Sequence, residues 1–130
     1  MANCSPMRPH KNQPFVTRLR FALAGLAAAL RAERSLRFQV FALTVIVVLL
    51  VTLRLEPLWW AVVGLTAFAV LSAELFNTAL EHLADHLHPE IHPQIRLVKD
   101  IAAAAVLMAC CAAVVVALAL AMHLMGRLRP

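Results

Sequence analysis

Residues 58–85 read LWWAVVGLTAFAVLSAELFNTALEHLAD and decide how the rest of the 130-residue chain is arranged. The stretch opens as an uncharged apolar run and turns polar at Glu74 without losing its helical spacing. As one helix its 28 residues measure about 42 Å, longer than the roughly 30 Å of bilayer hydrocarbon, so its last turns reach water. At about 100° per residue, Glu74, Asn77, Glu81 and Asp85 fall within one arc of about 80°. Three carboxylates and an amide thus share a stripe that begins where the apolar run stops. Carboxylates repel one another and are costly near lipid, so the stripe implies a task, most simply holding a divalent cation.

Upstream, residues 38–55 form another apolar run just long enough to cross a membrane, with Gln39 near its start and Arg54 near its end. Arg54-Leu55-Glu56-Pro57 reads as a tight turn, and Trp59 and Trp60 suit the interfacial aromatic belt. Further back, Phe15, Leu19, Leu23, Leu26 and Leu30 recur on one side of residues 15–35, with Arg18, Arg20 and Arg31 off that side. This spacing predicts an amphipathic helix lying on an anionic membrane face. A signal peptide with residues 21–30 as its apolar core is the rival reading, opposed by Arg31, Glu33, Arg34 and Arg37 and by the lack of a convincing cleavage site. Residues 1–14, with three prolines, read as a flexible tail. Downstream, 86–95 is a loop rich in His and Pro, Pro93 suits a first helical position, and 96–124 makes the third crossing. Residues 15–130 are thus expected to be one all-α membrane domain: a surface helix (15–35) and transmembrane helices at 38–55, 58–85 and 96–124.

Composition excludes several function classes. With 62% hydrophobic and 15% charged residues the chain is far from a soluble average. Three glycines cannot build a phosphate-cradling loop or a dinucleotide fingerprint, so any nucleotide is held by side chains and metal. The formal charge of +5 could suggest nucleic acid, but the basic residues flank apolar runs, so no nucleic-acid partner is expected. Of the 12 Lys and Arg, those of residues 1–37 and the loop side outnumber Arg54, Arg127 and Arg129. The positive-inside rule then makes the chain multi-pass in the inner (plasma) membrane, with its N-terminus and the acidic stripe on the cytoplasmic side, where ATP is available. Cys4, Cys110 and Cys111 give no disulfide framework and read as small apolar fillers.

Phosphoryl transfer to a lipid hydroxyl would use these residues well. It needs a metal bridging phosphate oxygens, cations to offset charge, and a base for the hydroxyl proton. Glu74 lies nearest the apolar run, where poor solvation makes a carboxylate a better base than an exposed acid. Glu81 and Asp85 suit metal and nucleotide, and Lys99 with a nearby Arg supplies positive charge. Blander readings stand beside these. Glu81 and Asp85 could solvate a helix end, Asn77 could bond between helices, and Lys99 with Asp100 could be a surface pair worth little. His82, His86, His88 and His92 resemble a zinc cluster, but their spacing is irregular and no cysteine accompanies them.

The string Glu74-x-x-Asn77-Thr78-Ala79-Leu80-Glu81-x-x-x-Asp85, followed by Lys99-Asp100-Ile-Ala-Ala-Ala-Ala-Val-Leu, resembles the prokaryotic diacylglycerol kinase family, with Gly25-Leu26 and Glu33 adding to the likeness. The resemblance implies a homotrimeric bundle of three membrane helices and one surface helix per chain, with composite sites at the cytoplasmic face. It implies that Glu74 is the general base and that Glu33 and Glu81 coordinate the Mg2+ of MgATP. Asn77 would support that site, while Asp85, Glu90, His92, Lys99 and Asp100 would contact the nucleotide. The expected reaction moves the γ-phosphate of ATP to a membrane lipid, diacylglycerol giving phosphatidate. Gln39, where an acid is often found, and the stretches Glu33-Arg34-Ser35-Leu36-Arg37 and His-Pro-Glu-Ile-His-Pro resemble the undecaprenol kinase branch, leaving that acceptor as an alternative. Ala103 and Ala104 replace a glycine often present in the third span. A non-catalytic membrane scaffold is the alternative from another class, and it would be indifferent to MgATP. A cation transporter would need ionisable residues in mid-span, where there are none.

Overall fold

The computed structural model describes residues 14–87 and 92–128, all of whose regular structure is helical. Four helices follow one another: α1 (Phe15–Ala32), α2 (Arg34–Thr52), α3 (Pro57–Leu87) and α4 (Pro93–Leu128). The last three are long and apolar enough to cross a membrane. α3 runs unbroken for 31 residues, so the apolar run and the polar stripe share one rod about 46 Å long. α4 is longer still at 36 residues, beginning at Pro93, ahead of the expected position 96, and continuing past 124. Proline can open a helix because its missing N–H would have no intrahelical partner there.

α1 and α2 are separate helices rather than a surface helix reaching residue 35. Glu33 between them is extended, with φ −98° and ψ 126°, although neither glycine nor proline marks the break. The Arg37 guanidinium closes the elbow from the far side, donating to the carbonyls of Leu30 (3.1 Å) and Arg31 (2.9 Å). Those carbonyls belong to the last turn of α1, where they lack intrahelical partners and favour a cation. Leu36, fully buried, anchors the start of α2. The elbow therefore rests on tertiary contacts, which explains why residue spacing placed the break a few residues late.

The turn between α2 and α3 ends the helix with two capping bonds. Leu55 N–H donates to the Leu50 carbonyl (3.3 Å), Arg54 N–H to that of Val51 (3.2 Å), and Arg54 has φ 48°. This is a Schellman cap with Arg54 in the left-handed position that glycine usually fills. The hydrophobic contact that accompanies such caps is here the buried Leu50–Leu55–Val63 cluster, with Ile46, Trp59, Val116, Leu120 and Leu124 around it. The Trp59 and His123 rings meet at 5.2 Å, joining α3 to α4 at this end.

Packing centres on α3, which α4 follows along most of its length and which α1 and α2 touch more briefly. The alanine-rich face of α4 permits this approach, since small side chains let membrane helices come close. Phe38, Phe41, Leu65, Phe68 and Leu107 point outward from the single chain. Such an apolar exterior suits lipid or another polypeptide and not water.

Candidate functional site

The polar stripe on α3 meets the starts of α2 and α4 at the end of the bundle away from the Trp59–His123 contact. Glu74 is 6% exposed and Thr78, one turn on, is equally buried. A buried carboxylate needs hydrogen bonds to hold its charge. Ser35 Oγ donates one to Glu74 Oε1, and Ser35 is the sole hydrogen-bonding or ion-pairing partner of Glu74 among the described residues. Asn77 Nδ2 donates to Glu81 Oε1 at 2.8 Å, one turn apart on α3. Asn77 Oδ1 is buried without a hydrogen-bond partner among the described residues. Lys99 on α4 pairs with Asp85 on α3, bridging the two helices across the loop.

Lys99 and Asp100 are neighbours in sequence but part company in space. Adjacent helical residues point about 100° apart, so Lys99 turns to Asp85 while Asp100 faces Arg96 at 3.9 Å. The Arg96–Asp100 pair is well exposed, at 80% and 69%, where such contacts are worth little. His92 precedes α4, its Nδ1 accepting from the Gln94 N–H at 3.2 Å, so it helps start the helix whatever else it contacts. Glu33 lies half-buried at the α1–α2 elbow. Glu90, expected to contact nucleotide, and His88, of the histidine run, lie outside the described residues, as do residues 1–13 of the expected tail.

Among the described residues no three His, Cys, Asp or Glu side chains gather as a metal cage. The histidine run therefore forms no zinc site among those residues. Magnesium places a different demand. It keeps several waters and takes one or two carboxylates together with substrate phosphates. Glu33 and Glu81 are hard oxygen donors of that type, and the buried Asn77 carbonyl is a further oxygen lacking a partner. Oxygen donors of this kind fit the chemistry of magnesium delivered with a nucleotide.

An apolar cleft of about 510 Å³ opens between α1 and α3, lined by Ala22, Gly25, Leu26 and Ala29 on one side and Leu75, Thr78 and His82 on the other. The small residues of α1 face α3 across it. Leu75 and Thr78, one and four residues past Glu74, place this end of the cleft within a turn of the buried carboxylate along α3. Sequence reading passed over Ser35 and Thr78 as site residues and gave the α1 alanines no role. Ser35 stands two residues from Glu33, but only the crossing of α2 and α3 brings it to Glu74.

Residues 20–121 match the family model described as prokaryotic diacylglycerol kinase. The chain belongs to this family. It is 36% identical to a diacylglycerol kinase from Synechocystis sp. over 90 residues, 68% of this chain and 51% of that protein. To an undecaprenol kinase from Bacillus subtilis it is 29% identical over 82 residues, 63% of this chain and 67% of that protein. The chain thus spans about half the length of the first relative and two thirds of the second.

Proposed function

We propose that this chain is a lipid kinase that moves the γ-phosphate of MgATP to the hydroxyl of a membrane lipid, diacylglycerol becoming phosphatidate. One observation carries the reading: a buried carboxylate, Glu74, at the inner edge of a polar stripe on a membrane-crossing helix, one turn from Thr78 in the lining of an apolar cleft. In that position Glu74 accepts the proton of the lipid hydroxyl. The hydroxyl oxygen bonds to the γ-phosphorus as the bridging bond to ADP breaks, and the proton remains on Glu74 until water removes it. Glu33 and Glu81 would hold the magnesium, which neutralises phosphate charge when bound. Asn77 orients Glu81, while Lys99, steered by Asp85, brings positive charge to the nucleotide, with Glu90, His92 and Asp100 around it. The site lies at the cytoplasmic face of the bacterial inner membrane. Three copies of the chain complete it, because a single chain leaves most of its span surface open.

Diacylglycerol is the acceptor supported by the 36% identical relative. The deciding experiment is transfer of labelled phosphate from MgATP by the purified protein, with diacylglycerol and undecaprenol offered separately in matched micelles. Preferential labelling of diacylglycerol is expected. Preferential labelling of undecaprenol would reassign the acceptor but keep the site, and labelling of neither by folded protein would overturn the kinase reading.

A further inference from the structure

We infer that Ser35 is a positioning residue for Glu74, holding the carboxylate so that one oxygen is engaged and the other is aimed at the acceptor hydroxyl. The inference rests on the reading of Glu74 as the base and adds to it a residue on a different helix. The Ser35 hydroxyl donates to Glu74 Oε1, and no other hydrogen bond or ion pair restrains Glu74 among the described residues. A glutamate side chain has three rotatable bonds, so a buried one held by packing alone keeps several orientations of its carboxylate plane. With Oε1 engaged, Oε2 is left to take a proton, and near-attack geometry depends on where that oxygen sits.

The elbow around Ser35 does not depend on its hydroxyl. Arg37 closes the α1–α2 junction on the Leu30 and Arg31 carbonyls, and the side chain of Leu36 is fully buried. Ser35 itself is on the exposed side of α2, so removing its hydroxyl opens no core cavity. Its loss therefore releases Glu74 while the helices stay in place. Ser35 also stands two residues past Glu33, so one short segment serves both the carboxylate assigned to metal and the orientation of the assigned base.

The test compares S35T with S35V, which share a shape and differ in the hydroxyl, alongside S35A and E74Q, in the full-length protein with MgATP and whichever of diacylglycerol or undecaprenol it phosphorylates. S35V and S35A should lower kcat about tenfold or more, with KM for MgATP and lipid within about twofold of wild type. S35T should recover most of the loss, and all three serine variants should melt close to wild type. Wild-type kcat in S35V with an inactive E74Q would overturn the positioning role and leave the base assignment standing. So would S35T failing as badly as S35V, or a loss of thermal stability and a rise in KM accompanying every drop in kcat. Wild-type turnover by E74Q would instead remove the base reading, and the inference with it.

Discussion

The two ends of the bundle are built on opposite principles. At one end Leu50, Leu55 and Val63 pack into a buried cluster closed by the Schellman cap, with Trp59 against His123. At the other, helices are tied by polar side chains: Ser35 to Glu74 and Lys99 to Asp85. The apolar end gains from shape and area, with His123 Nε2 buried and lacking a hydrogen-bond partner among the described residues. The polar end spends stability on a buried carboxylate and an unpartnered amide oxygen. Both ends thus carry a buried polar atom without a partner among the described residues, and the left-handed Arg54 lies at the apolar end.

Substitutions can break that division. The largest effect is expected for Glu74→Gln, which should lower phosphate transfer about a thousandfold, near 4 kcal/mol of transition-state stabilisation, while leaving the thermal midpoint unchanged or raised. Equal loss of stability would mean that Glu74 is structural. Leu50→Ala at the opposite end should do the reverse, costing about 2–3 kcal/mol in denaturant unfolding with KM for MgATP unaltered. Glu33→Gln should shift the magnesium titration of turnover to higher concentration with membrane insertion intact, and an unmoved titration would remove Glu33 from the metal site. Smaller still, Arg54→Gly should stabilise by about 1 kcal/mol, because glycine adopts the left-handed cap conformation without penalty. Its transfer activity should stay at wild type. Arg96→Ala should leave unfolding stability measurably unchanged, since its pair with Asp100 is exposed.

Much of this was legible in the residues. The helical phase kept from Leu58 through Asp85 implied a rod longer than the bilayer, and the polar stripe followed from that phase alone. The three apolar runs stand out because about 20 uncharged residues in succession have few other uses. A break between the surface helix and the first span was legible but its position at Glu33 was not, because no residue there disfavours helix and the elbow is stabilised by Arg37 reaching back to another turn. The separation of Lys99 from Asp100 was half-legible: helix geometry says that neighbours diverge, but not which partner each one finds.

By itself, then, the sequence determined helix content, the crossings, the face bearing Glu74, Asn77, Glu81 and Asp85, and membership of a family. These are properties of periodicity and local order along one element. Only the tertiary structure decided that Ser35 meets Glu74, that Asp85 takes Lys99, and that the alanines of α1 line a cleft with α3. Each of these joins residues on different helices, and their meeting depends on how the rods cross, which no local propensity encodes.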